Sequence, residues 1–373
     1  MMNRLVDSIR RTARFVQNFL QLFTKDLSRE EFSKLFGHET RGTYEFFLRH
    51  AQPTEGEHNR FVRMLRFAWS LFIAFIGKLS PARRLMYGVA LVLVVLAILQ
   101  HDRTADLFYA FLIVNFLLAL EMSDRLITRD ELEVARDIQE SLRPEIIATE
   151  SGFELAAYAE PARNVGGDYY DILRHQDGSL LIVIADVSGK GISAALYAAK
   201  VQTALQLFFE QTQDLSDLLS RLDAHLHNRL KKNFFITIGL LRLQPNGKAE
   251  FCRAGHPPAI LYSKEKMSCV NLQPKGIAVG LRSNDAPAFE RSLEVEKIKF
   301  KPGDICLLYT DGVVEGVNKV ANEFGEQRLS LLVKTFSMES ASTLKDRIAA
   351  ELQQFREGAE LRDDTTLVVV KRL

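Results

Sequence analysis

Four aspartates, each at the edge of a short apolar run, carry the clearest chemistry in this chain: Asp168 in GGDYYD, Asp186 in IADVSGKG, Asp311 in YTDGV and Asp363 in RDDTT. Asp186 and Asp311 close runs that read as strands, Leu180 to Ala185 and Ile305 to Thr310, whereas Asp168 and Asp363 open the runs Tyr169 to Leu173 and Thr365 to Val370. In an antiparallel sheet the end of one strand lies beside the start of its neighbour, so all four carboxylates can gather at one rim. Hard divalent cations such as magnesium or manganese need oxygen ligands of this kind. A single Asp beside a strand is ordinarily a turn former that caps its own backbone. Recurrence changes the balance, as does the glycine after Asp311 and the SGKG after Asp186, where the backbone can come close to a ligand.

The elements that must position these groups mix strands and helices. Ala156 to Tyr158, Phe235 to Leu243, Ala259 to Tyr262 and Leu293 to Phe300 read as further strands, interleaved with helices over Ile192 to Gln211, Leu215 to Leu230 and Ser342 to Phe355. Periodicity alone gives an α+β fold.

From about Ala135 onward the segments ARDIQESLRPE, PARNVGGDYYD, IADVSGKGISAAL, AGHPPAIL, LLYTDGVVE and RDDTTLVVV follow in order. Together they resemble the sporulation-type and stress-response branch of the metal-dependent PPM (PP2C-like) serine/threonine phosphatases, over roughly the last three fifths of the chain. The resemblance implies a layered αββα sandwich. It implies two ions, Mn2+ or Mg2+: one held by Asp186, Asp311 and Asp363, the other by Asp186 as a bridge, the backbone carbonyl of Val187 and the shell around Asp168. It further implies hydrolysis of a phosphoserine or phosphothreonine on a partner protein, of the anti-sigma-factor antagonist class. Such ions share an acidified water and neutralise the phosphoryl oxygens, so no protein nucleophile is required.

Two departures bear on mechanism. Ser188 stands where eukaryotic-type relatives carry a His, leaving the proton donor open, and Arg253 stands where the family often has Asn ahead of AGH. His256 accordingly reads as a structural or loop-ordering residue. Asp364, beside Asp363, is expected to point the other way and support the site rather than ligate. Asp171 should likewise face away. Arg163 and Lys190 could touch phosphate, but lone loop cations are more often solvated. Cys252, Cys269 and Cys306 lack zinc spacing and read as small buried hydrophobes.

Lys plus Arg at 48 against Asp plus Glu at 47 gives no charge argument for a nucleic-acid partner. The N-terminal region suggests a membrane instead. Leu5, Ile9, Val16, Leu20, Phe23 and Leu27 recur at helical spacing beside Arg4, Arg10, Arg11 and Arg14, as in a helix on an anionic surface, although an ordinary core-facing helix gives the same pattern. Gly37 to Gly56 reads as a connection, and Phe61 to Gly77 is apolar. Leu85 to Leu99 and Leu107 to Leu120 are uncharged but shorter than a full bilayer span, and reach marginal length with Gln100 and His101 added to the first and Ala105, Asp106, Glu121 and Met122 to the second; buried helices of a soluble sensor domain are the alternative. Lys78, Arg83 and Arg84 precede the pair and Arg125 and Arg129 follow it, so both ends are expected on the cytoplasmic side. From Leu107 to Arg143 there is neither Gly nor Pro, which allows one helix from bilayer to catalyst, with a stripe that could pair two copies as a homodimer.

The expected organisation is an all-α N-terminal region over 1–82, a two-helix membrane hairpin over 83–122, a linker or switch helix over 123–150 and the phosphatase domain over 151–373. The protein would sit in the cell's inner membrane with catalysis in the cytoplasm, regulated by its N-terminal half. A pseudophosphatase binding module is the rival that the complete aspartate set argues against. A nucleotide cyclase, suggested by Gly166, Gly167 and Asp168, fails because Tyr169 and Tyr170 replace the expected acidic and aromatic pair.

Overall fold

The structure is a computed structural model that describes residues 72–73, 76, 79–99, 104–146, 148–227, 229–281 and 287–373. The expected surface helix of residues 5–27 and the connection at 37–56 lie outside the described residues, as does most of the 61–77 segment. The chain divides into two compact units, Met1–Leu126 and Ile127–Leu373.

In the first unit, α1 (Pro81–Leu99) and the start of α2 (Thr104–Ser141) are long and apolar enough to cross a membrane. Pro81 opens α1, where its missing N–H costs nothing. Small side chains are buried at Ala90 and Ala110, while Leu85, Ile98, Phe108, Phe111 and Leu118 are exposed. Arg83 pairs with Glu121 at 3.1 Å and Asp124 at 2.6 Å, so the start of α1 lies beside the middle of α2, as in a hairpin. α2 then runs unbroken for 38 residues, and Pro144 follows its end.

The second unit continues through β1 (Thr149–Glu150), β2 (Phe153–Glu160), β3 (Tyr169–Arg174), β4 (Leu180–Val187), α3 (Ile192–Phe209), α4 (Leu215–Leu226), β5 (Ile236–Leu243), β6 (Lys248–Ala254), β7 (Ala259–Ser263) and β8 (Ser268–Leu272). It ends with α5 (Pro287–Ser292), β9 (Val295–Lys299), β10 (Ile305–Tyr309), α6 (Asp311–Val314), α7 (Glu326–Thr335), α8 (Ala341–Arg356) and β11 (Thr365–Arg372). The strands form two antiparallel sheets, ordered β1-β2-β11-β10-β7-β8 and β3-β4-β5-β6-β9.

Three apolar layers follow from the alternation of side chains along these strands. Ile182, Ile184, Leu241 and Phe251 meet Leu308, Val368 and Val370 between the sheets. On the outer side of the second sheet, Leu181, Val183, Ile238 and Leu240 pack on Ala198, Leu205, Leu219 and Leu222 of α3 and α4. Beyond the first sheet, Leu307, Tyr309, Leu367 and Val369 pack on Leu329, Val333, Leu344 and Ile348 of α7 and α8. The run LLIVIA of β4 is apolar throughout because both faces of the strand are covered. This is the expected αββα sandwich. Local signals frame its helices: Asp214 accepts from the Asp217 N–H at 2.9 Å to start α4, and Ser340 accepts from the Thr343 N–H at 3.1 Å to start α8.

Some elements differ from expectation. Strands β6 and β8 and helix α7 stand where none is expected, and α4 stops at Leu226 rather than Leu230. More consequentially, the four aspartate-bearing strands do not share one sheet. β3 and β4 are neighbours in one sheet, and β10 and β11 in the other.

Candidate metal centre

Register places the four carboxylates at one end of the sandwich. Tyr169 is paired with Ala185, so Asp168, just before β3, is adjacent to the end of β4 where Asp186 stands. Tyr309 is paired with Leu367, which sets Thr310 and Asp311 beside Thr366 and the two aspartates preceding β11. The Thr310 N–H donates to the Thr366 carbonyl at 2.9 Å, and Asp311 begins the single turn of α6.

The two halves are fastened directly. Thr310 Oγ1 donates to Asp168 Oδ2 at 2.8 Å and accepts from the Thr366 N–H at 3.0 Å. Asp364 makes a second fastening, accepting from the Ala162 N–H at 2.7 Å and the Gly167 N–H at 2.6 Å. The glycines serve this closeness. A Cβ at Gly167 would lie 2.8 Å from the Val187 carbonyl oxygen, and one at Gly312 would collide with the Asp364 carbonyl. The Val187 carbonyl therefore faces the loop that carries Asp168.

Adjacent Asp363 and Asp364 face different surroundings. Asp364 is buried in backbone hydrogen bonds, whereas Asp363 is half exposed and turned to the rim. Lys190 is not the solvated cation anticipated: its Nζ pairs with Asp363 Oδ2 at 2.8 Å and also donates to the Arg362 carbonyl. Arg163 is exposed, with its guanidinium beside Gly191. Asp171 is buried away from the rim, held by the Tyr169 hydroxyl at 2.8 Å and Gln206 at 3.0 Å.

Like charges gathered under cover raise one another's proton affinity. Burial, and then Asp311, Asp363 and Asp364, push Asp186 up to about 7, with Lys190 opposing. Burial and Asp363 raise Asp311. Burial and Asp186 push Asp168 well above the usual carboxylate range, against the hydrogen bonds from Thr366 and Thr310. Among the described residues no three His, Cys, Asp or Glu side chains are drawn together tightly enough to enclose an ion as they stand, and Lys190 occupies part of Asp363. The donor chemistry nonetheless fits hard cations: carboxylate and carbonyl oxygens only, mutually destabilised when ionised and relieved by positive charge.

His256 lies outside this chemistry. It is buried, its Nδ1 is 3.0 Å from Thr237 Oγ1, and burial followed by Arg253 lowers it to about 3, so it stays neutral. Arg253 orders its loop by donating to the Pro274 carbonyl at 2.8 Å and to the His256 carbonyl. Cys252 and Cys306 are buried, and burial raises both thiols to about 12. They are inert core residues, as expected, whereas Cys269 on β8 is only half-buried.

Three supporting side chains escaped the sequence reading. Thr310 and Thr366 were visible only as hydroxyls inside apolar strands, in YTDGV and DDTT, an arrangement that suggests a buried polar partner. Gln139, near the end of α2, pairs its amide with Gly166 in both directions, donating to the carbonyl at 2.8 Å and accepting from the N–H at 3.1 Å. A cavity of about 200 Å³ lies between this helix end, the Val165–Tyr170 segment and α3, and Asp168 is in its wall.

Comparison with known proteins agrees with this geometry. Residues 176–373 match the family model of Stage II sporulation protein E, SpoIIE. The phosphoserine phosphatase RsbU of Bacillus subtilis is 29% identical over 247 residues, 65% of this chain and 70% of RsbU. Protein IcfG of Synechocystis sp. is 28% identical over 287 residues, 69% of this chain, but the match spans only 44% of IcfG. The solved SiaA-PP2C domain of Pseudomonas aeruginosa shares the fold at 20% identity and a TM-score of 0.59, covering 67% of this chain and 98% of that domain. With more than half its length matched by the family model and its sandwich matched by a PP2C structure, the chain belongs to the SpoIIE family and carries a domain of PP2C-type fold.

Proposed function

We propose that the chain is a metal-dependent serine/threonine protein phosphatase, tethered to a membrane, that hydrolyses a phosphoserine or phosphothreonine on a small switch protein of the anti-sigma-factor antagonist class. The observation that carries the reading is the meeting of Asp186 and Asp311, from separate sheets, as half-buried carboxyls at one rim, where Asp311 adds to burial in raising the proton affinity of Asp186.

Asp186, Asp311 and Asp363 would hold one Mn2+ or Mg2+, and Asp186, the Val187 carbonyl and the groups around Asp168 the other. Bound ions would supply a water of lowered pKa and neutralise the phosphoryl oxygens. The chain's own part is to hold its oxygens in place: Thr310 fixes Asp168, and Asp364 fixes Gly167 and through it the Val187 carbonyl. Lys190 must yield Asp363 in part as the site fills. His256 is buried and neutral, so the leaving alcohol takes its proton from elsewhere. The likeness to RsbU supports the phosphoserine substrate class.

The domain division proposed is a helical region over 1–82, a membrane hairpin over 83–122, a linker over 123–150 and the phosphatase domain over 151–373. Basic flanks on both outer sides of the hairpin support a cytoplasmic-membrane location with the catalytic domain inside the cell. The linker, held to Gly166 through Gln139, supports regulation by the N-terminal half, and its exposed Ile138 and Leu142 support pairing of two copies.

The test is release of phosphate from p-nitrophenyl phosphate and phosphoserine proteins, with and without manganese or chelator. Absence of metal-dependent release would leave the pseudophosphatase reading in its place. Reporter fusions after Arg84, at Ala105 and after Arg129 test the topology, and an external signal after Arg129 would overturn it.

A further inference from the structure

The loop before β5 carries positive charge to the same rim as the aspartates. Val187 pairs with Ile236 and Asp186 with Thr237, so the chain entering β5 arrives where β4 delivers its carboxylate. That entering segment, Arg229-Leu230-Lys231-Lys232-Asn233, holds three cations and no acid, and all three are exposed. It is also firmly mounted. Leu230 is buried in the core beneath it. The Lys231 N–H donates to the Tyr197 hydroxyl at 3.2 Å, and the Tyr197 ring packs on Phe234 with centroids 5.1 Å apart. Phe234 in turn lies against Gly189, where an added Cβ would stand 3.0 Å from its ring. Ser188 and Phe235 exchange hydrogen bonds, Ser188 N–H to the Phe235 carbonyl at 3.0 Å and Phe235 N–H to Ser188 Oγ at 2.8 Å. The cations therefore stand on a support shared with the residues that follow Asp186.

The opposite flank of the rim is acidic. Glu315, one residue past α6, lies close enough to Asp311, Glu323 and Asp363 for their charges to act on it. A protein substrate meeting this mouth encounters positive charge on the β5 side and negative charge on the α6 side. Such a distribution orients a partner and accelerates its capture more than it adds static affinity.

We propose that the Arg229–Lys232 loop is a docking surface for an acidic stretch of the substrate protein flanking its phosphoserine. This rests on the phosphatase reading and extends it from the reaction to the class of sequence that the site prefers.

The experiment uses the full chain with manganese and three synthetic phosphoserine peptides of equal length, their flanks on one side rich in Glu, Ala or Lys. At low ionic strength the Glu peptide is expected to exceed the Ala peptide in kcat/KM by about tenfold, with the Lys peptide slowest. The preference should shrink as salt screens it. The variant Lys231→Glu/Lys232→Glu should lose or reverse the order, and its melting temperature checks that the fold is kept. The control Lys266→Glu/Lys299→Glu changes net charge equally at the opposite end of the strands and should keep the wild-type order. Equal kcat/KM for the three peptides, or an unchanged order in Lys231→Glu/Lys232→Glu, would overturn the docking surface while leaving the phosphatase reading intact. No metal-dependent release from p-nitrophenyl phosphate or any peptide would overturn both.

Discussion

Thr310 Oγ1 donates to Asp168 Oδ2 at 2.8 Å, joining the last residue before α6 in one sheet to the residue before β3 in the other. Thr310 is fully buried, and the same oxygen accepts from the Thr366 N–H. Removing it takes one of the hydrogen bonds from the Asp168 carboxyl and leaves the buried Thr366 N–H without its acceptor. Thr310→Val should cost about 1–3 kcal/mol in urea unfolding and weaken manganese affinity by about 10–100-fold. Unfolding followed at fixed pH, and activity titrated with manganese, check the two effects separately.

Asp186→Asn and Asp311→Asn each remove a charge that a cation needs, without removing volume. Turnover should fall to background in both, while circular dichroism remains that of the wild type. Turnover of Asp186→Asn at the wild-type rate would dismiss the assignment.

The adjacent aspartates should separate cleanly. Asp364→Ala frees the Ala162 and Gly167 N–H groups and is expected to destabilise the domain by about 2–4 kcal/mol. Asp363→Ala breaks only the exposed pair with Lys190 and the contact to its own neighbour's N–H, so stability should change by less than about 1 kcal/mol while metal dependence shifts strongly. Thermal melts with manganese titrations of both variants distinguish the roles.

How legible was this arrangement in the chain itself? The aspartates could be found because each sits at a boundary between an apolar run and a turn, a pattern contained within about ten residues. The partition of their strands between two sheets could not be read, since pairing such as Tyr309 with Leu367 is set by contacts far apart in sequence. Strand β8, SCVNL, is a short edge strand with polar and exposed positions and gives little alternation to detect. Lys190 reads as solvated in sequence because a loop cation has no local mark of its partner, which here is Asp363, 173 residues away.

Acid titration offers a test of the uncompensated site. Asp186 rises from 3.8 unfolded to about 7 folded, so the folded state holds the extra proton between those values. The stability this contributes is complete below about 3.8 and is lost as pH rises through about 7. With chelator present, the melting temperature should therefore decline between about pH 4 and pH 7 and level off above neutrality. The decline should be shallower in Asp186→Asn, and manganese should abolish it in the wild type. A profile identical in wild type and variant would show that Asp186 does not titrate as described.

At the linker, Gln139→Leu removes both bonds to Gly166 without interrupting α2. Manganese dependence and turnover should change together. Ile138→Pro, which costs about 3 kcal/mol or more within a helix, should have the larger effect. Equal kinetics in wild type, both variants and the fragment from Ser151 would reduce the helix to a tether.

Because Asp186 lies in one sheet and Asp311 and Asp363 in the other, the full repulsion on Asp186 arises only when the sheets close on one another. Neither sheet alone would recognise a cation. Ion binding then belongs to the native side of the folding barrier: added manganese should slow unfolding in proportion to its concentration and leave the refolding rate nearly untouched. In a cell this would make retention of the folded domain follow the metal supply through lifetime rather than through the speed of maturation.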